Sequence, residues 1–86
     1  MTEPELAAVV KASLFSVAPD LEGEAIQPEV PFRDQFEIDS MDFLNFIIDL
    51  HNRTGVEISE PDYAELSSLA GAVRYLKSRL SPPVAT

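Results

Sequence analysis

The sequence predicts an all-α fold: a small four-helix bundle, three main helices plus one short helix, with a long loop between helices 1 and 2. Three observations predict it. Apolar residues recur at spacings of three and four in three separate segments. Helix-starting and helix-stopping residues bracket those segments. Between the first two lies a stretch, 19–38, broken by Pro19, Gly23, Pro28 and Pro31. There is no internal repeat and no low-complexity tract, so residues 1–86 read as a single domain with one core.

The first helix is signalled by Thr2-Glu3-Pro4-Glu5. Thr2 can cap, and Glu5 completes a capping box. Pro4 suits the first turn, where the N–H it lacks would have no partner. Leu6, Val9, Val10, Leu14 and Val17 then follow at helical spacing. Pro19 cannot continue the helix. Residues 19–38 read as loop. A loop this long in a small domain is usually functional or disordered. Its Leu21, Ile26, Val30, Phe32 and Phe36 predict that it is pinned to the core.

The second helix starts at Asp39-Ser40-Met41-Asp42. Asp39 is the expected N-cap, and Asp42 places a negative charge where the helix dipole favours one. Leu44, Phe46, Ile47 and Leu50/His51 are expected to face inward, with Val10, Leu14, Leu69, Val73 and Leu76. Arg53 suits the negative end of the helix, and Gly55 suits a left-handed cap. Val56-Glu57-Ile58 is a short extended link. Ser59-Glu60-Pro61-Asp62 opens a brief third helix through Leu66. Ser67 or Ser68 caps the fourth, whose Leu69, Val73, Leu76 and Leu80 recur at three and four. Pro82-Pro83 stops it, and a frayed end is expected beyond.

Charge narrows the function. Fifteen Asp and Glu against six Lys and Arg give a net charge of -9. Such a surface repels nucleic-acid phosphates and anionic lipid, so neither nucleic-acid binding nor membrane insertion is expected. Partners should carry basic patches, and self-repulsion favours a monomer. The absence of cysteine excludes disulfides and thiolate metal sites, and the single histidine, His51, excludes a multi-histidine metal site. No stretch approaches the ~20 apolar residues of a membrane span, and no signal-peptide pattern opens the chain. The expectation is a cytoplasmic protein.

Catalytic constellations are missing. Ser40 and His51 sit on one helix roughly 16 Å apart along its axis, at 1.5 Å per residue, so no triad can use both. There is no Gly-x-Ser-x-Gly elbow and no Gly-Lys-Ser/Thr phosphate loop. Asp39 and Asp42 have the wrong spacing for a calcium loop. An enzyme is not expected. What remains is Ser40. It stands where a loop gives way to a helix, one residue after the cap, so its hydroxyl points outward. The free N–H groups of a first turn also favour an anion. The same position suits an ordinary helix-start serine.

Asp39-Ser40-Met41 resembles the Asp-Ser-Leu motif of acyl carrier proteins. The similarity continues through Phe32 and Phe36 upstream, Asp42 after the motif, and Phe43–Leu50 as the second helix. It extends to Val56-Glu57-Ile58 with Ser59-Glu60-Pro61, to Leu66-Ser67-Ser68-Leu69, and to Val73-Arg74-Tyr75-Leu76. It is strongest over 31–80. The resemblance implies 4'-phosphopantetheine attached covalently to Ser40, with Asp39 and Met41 flanking it. It implies a phosphopantetheinyl transferase that installs the arm from coenzyme A. It further implies acyl cargo held as thioesters and delivered to enzymes of fatty-acid, lipid or polyketide-type biosynthesis, with acyl chains able to slip between the helices. Met41, Asn45, Ile48, Asp49 and Asn52 recur at three and four beside Ser40; with Asp42 they form the expected partner-binding face. Glu37-Ile38 stands where many members have a glycine-containing turn, and Asn45, His51, Asn52 and Arg53 make the second helix less acidic than usual. Both departures suggest a specialised carrier. The alternative on the same residues is an acidic helical adaptor that binds a basic protein with no prosthetic group.

Overall fold

The computed structural model describes residues 2–80. Four α-helices and two 3-10 segments follow in order. They are α1 (Glu3–Val17), a 3-10 turn (Pro19–Leu21), α2 (Phe32–Gln35), α3 (Ser40–Thr54), a 3-10 helix (Glu60–Leu66) and α4 (Leu69–Leu80). Among the described residues there is no strand. The three main helices are α1, α3 and α4, as the periodicity predicts. The short third helix is present as 3-10 rather than α. The expected stop at Pro82-Pro83 and the frayed end lie outside the described residues.

α1 begins with the predicted capping box. Thr2 Oγ1 accepts from the Glu5 amide at 3.3 Å, and Glu5 Oε1 accepts from the Thr2 amide at 2.8 Å. The Thr2 amide and, at 3.0 Å, the Thr2 hydroxyl both donate to Glu5 Oε1, and they hold that carboxyl below the usual carboxylate range. The helix presents Leu6, Val10 and Leu14, all buried, to α3 and α4 together. Burying each such leucine stabilises the fold by about 1.5–3 kcal/mol.

The segment 19–38 is the long connection between α1 and α3 that the sequence predicts, with two short helical turns inside it, the 3-10 turn and α2. Phe32 is buried and meets Phe46 edge to face, with ring centroids 5.5 Å apart. The Phe32 amide donates to Ser67 O at 2.7 Å, and the Ala70 amide donates to Pro28 O at 2.9 Å. Gln35 binds the loop to itself: Nε2 donates to Gln27 O at 2.9 Å and to Val30 O at 2.8 Å, while Oε1 accepts from the Gln27 amide at 2.9 Å. The long connection is therefore held in place by hydrogen bonds and one aromatic anchor.

At the start of α4, Ser68 Oγ accepts from the Gly71 amide at 3.1 Å. Ser68 is thus the capping serine of the two proposed. Gly71 is buried directly beneath the Glu65 carbonyl, with no room for a Cβ. That close approach lets the 3-10 helix lie on α4. Asp62 fastens the same pair of elements, since Asp62 Oδ2 accepts from Tyr75 Oη at 2.8 Å. Arg79 stacks over the Tyr75 ring, 4.6 Å from its centroid.

Candidate functional site

The chain arrives at α3 through Ile38, which is buried, and so the backbone is anchored one residue before the cap. Asp39 is extended, at φ -90° and ψ -179°. Its Oδ1 accepts from the Asp42 amide at 2.8 Å, and Asp42 Oδ2 accepts from the Asp39 amide at 3.5 Å. This is a second capping box, with Asp in place of the usual Glu or Gln at its third position. Ser40 is therefore the first residue of α3, and it is exposed. Asp39 is exposed and Asp42 half-exposed beside it. Helix geometry aims the first-turn amides outward; that of Asp42 is taken by Asp39, leaving those of Ser40 and Met41 facing outward at the head of the helix. Arg33, Glu37, Ile38, Asp39 and Asp42 line a shallow depression alongside.

The far end of α3 is equally well defined. Gly55 is left-handed, at φ 73°, and its amide donates to His51 O at 2.7 Å. Thr54 Oγ1 donates to Leu50 O at 2.8 Å, and His51 Nδ1 lies 2.7 Å from Val56 O. These contacts turn the chain back toward the 3-10 helix.

Around the helix, Phe46, Ile47 and Leu50 are buried and Phe43 is half-buried. Leu44 is not inward as expected. It is 39% exposed, and it joins Met41 at 65% and Ile48 at 49% as an apolar strip on the surface. The reason is angular. At 100° per residue the buried set centres between Phe43, Phe46, Ile47 and Leu50, and Leu44 falls about 110° away from that centre. Asn45 and Asn52 are exposed, and Asp49 is half-buried in an ion pair with Arg53 at 2.6 Å. The predicted stripe of Met41, Asn45, Ile48, Asp49 and Asn52 thus lies on the side of α3 turned away from the core, with Asp42 at its head. Leu44 belongs to its edge and was missed there.

A pocket of ≈ 200 Å³ opens lower on the same helix, lined by Ile47, Ile48, His51, Glu57, Ile58 and Tyr63. No periodicity argument points to it, because it needs the turn after Gly55 to bring residues 57–63 alongside α3. Among the described residues no helix is long and apolar enough to cross a membrane.

The family model for the phosphopantetheine attachment site matches residues 12–76. An acyl carrier protein from Lactobacillus johnsonii (strain CNCM I-12250 / La1 / NCC 533) is 31% identical over 78 residues, covering 91% of this chain and 96% of that protein. The chain therefore belongs to the phosphopantetheine-binding carrier family, to which acyl carrier proteins belong and whose members hold a 4'-phosphopantetheine group and act as carriers rather than catalysts.

Proposed function

We propose that this protein is an acyl carrier whose 4'-phosphopantetheine arm is esterified to Ser40, and that residues 1–86 form one carrier domain working in the cytoplasm as a monomer. The observation that carries the reading is the exposure of Ser40 as the first residue of α3, with the capping box of Asp39 and Asp42 fixing its place. The residues present suit such a group: the serine oxygen is open to solvent, and outward-facing amides lie next to where a phosphodiester would sit. When bound, the arm supplies the thiol that holds an acyl group as a thioester, and this chain has no cysteine to compete with it.

The neighbouring residues have separate tasks. Asp39 holds the backbone of Ser40 in register. Asp39 and Asp42 repel the phosphodiester in part, and the same charges attract the basic surface of a phosphopantetheinyl transferase. Met41, Leu44 and Ile48 offer apolar contact to partner enzymes. Asn45, Asn52, Asp42 and Asp49 rim that contact with polar groups, as a transient interface requires. The enzymes served are acyl-transferring, ligase or synthase partners of fatty-acid, lipid or polyketide-type biosynthesis that present basic patches.

The test is a mass measurement. Incubation with coenzyme A and a broad-specificity phosphopantetheinyl transferase should add the mass of one arm, and Ser40→Ala should abolish the gain. No gain in the native chain would leave a non-covalent acidic adaptor as the better description.

A further inference from the structure

We propose that the pocket beside α3 selects a short acyl group bearing a hydrogen-bond donor, and that His51 is the residue that selects it. The inference rests on the carrier reading above and adds the class of cargo.

Ser40, Leu44, Ile48 and His51 recur at four, four and three, so they share one flank of α3. The flank begins at Ser40, the open end of the helix. Met41, Leu44 and Ile48 surface it with exposed apolar side chains. It ends at the pocket, whose walls include Ile48 and His51. An arm fixed at Ser40 and lying along this strip delivers its terminus there, roughly 10–16 Å down the helix axis.

Two properties of the pocket restrict what enters. The first is size. A volume of ≈ 200 Å³ holds about six groups the size of a water molecule, at ~30 Å³ each. That matches a four-carbon acyl group; the pocket is open on one side, so the rest of a longer alkyl chain would lie outside it. The second is polarity. Val56 O can only accept, so the contact at 2.7 Å fixes the ring proton of His51 on Nδ1. In that tautomer Nε2 is an acceptor. Glu57 lines the same wall, and its oxygens, carbonyl and carboxylate alike, only accept. Ile47, Ile48 and Ile58 supply the remaining branched apolar surface. A plain alkyl group would cover these acceptors without pairing them, at a desolvation cost. A hydroxyl or an ammonium group on the cargo pairs them.

The experiment loads the native chain with butyryl, 3-hydroxybutyryl, β-alanyl or octanoyl arms, transferred from the matching coenzyme A thioesters. Mass spectrometry confirms loading at Ser40. The readouts are the thermal midpoint and the nitrogen and carbon NMR shifts of the His51 ring. The 3-hydroxybutyryl or β-alanyl form should move the His51 signals and melt about 3–6 °C above the butyryl form, the size of one net hydrogen bond in a domain this small. Which of the two does so distinguishes hydroxyl from ammonium. Octanoyl should add nothing beyond butyryl. His51→Phe should erase the difference, and His51→Gln, which can still donate to Val56 O, should retain part of it. Successful loading with equal midpoints and unmoved His51 signals for all four arms would overturn this inference alone, as would greatest stabilisation by octanoyl. Failure to load any arm would instead overturn the carrier reading.

Discussion

Ser13 is fully buried in α1, and its hydroxyl is the one buried side-chain polar atom without a partner among the described residues. An unpaired buried hydroxyl costs about 1–3 kcal/mol, and alanine is the better helix former. Ser13→Ala should therefore raise the thermal midpoint, by about 4 °C or more, as read by circular dichroism. A fall would mean that the hydroxyl is paired in solution. Tyr75 behaves in the opposite sense. Burial, then its hydrogen bond to Asp62, pushes its ionisation above the usual phenol range, with the Arg79 charge opposing. A raised value in the folded state means that the contribution is complete below the unfolded phenol range, about 10. It is lost as pH rises through the folded value. Alkaline melting should coincide with the appearance of tyrosinate absorbance, and Tyr75→Phe should flatten that limb while lowering stability at neutral pH by about 1 kcal/mol. An unchanged alkaline limb in Tyr75→Phe would assign the loss to other groups.

The elements differ in how far their residues announce them. α1 and α3 each combine a capping residue with apolar spacing over fifteen positions, and both signals are local. α2 has only four residues. It exists because Phe32 is anchored against Phe46 and Gln35 reaches back to Gln27 and Val30, contacts that a local pattern does not encode. Ser40 was legible as an exposed helix-start residue, since a cap fixes its neighbour's geometry from sequence alone. Leu44 was not: it lies at the border of the buried face, where a few tens of degrees decide the outcome. The pocket at His51 was hidden for a third reason, since half its wall comes from beyond a turn. The seam between the 3-10 helix and α4 carries its own test. A Cβ at Gly71 would overlap the Glu65 carbonyl. Overpacking of this kind costs about 1–3 kcal/mol, against roughly 1 kcal/mol gained by replacing a helical glycine. Gly71→Ala should thus lower the midpoint, and Gly71→Val should lower it further. Neutral or stabilising behaviour of Gly71→Ala would show that the 3-10 helix can ride up without loss.

At the scale of the molecule, charge and long-range ties dominate. Four of the six cations are committed to ion pairs, Arg53 with Asp49, Arg74 with Glu29, Lys77 with Glu3 and Arg79 with Asp62. The surplus of carboxylates is left to act on partners. Asp49 is damped by Arg53, so Asp42 should be the stronger of the two proposed docking charges. Asp42→Lys should reduce kcat/KM for arm transfer several-fold at low salt, Asp49→Lys less, and both differences should shrink as ionic strength rises. Equal rates at low salt would remove charge from the docking scheme. The two backbone bonds that pin the long connection have a further result. Phe32 donates to Ser67, and Ala70 donates to Pro28, so each amide proton is shielded by a residue from the opposite side of one seam. Either site opens to deuterium only when the two segments of that seam separate. The pair should exchange at one common rate, set by the seam parting as a unit, and that rate would give a direct clock for how often the approach to Ser40 comes loose.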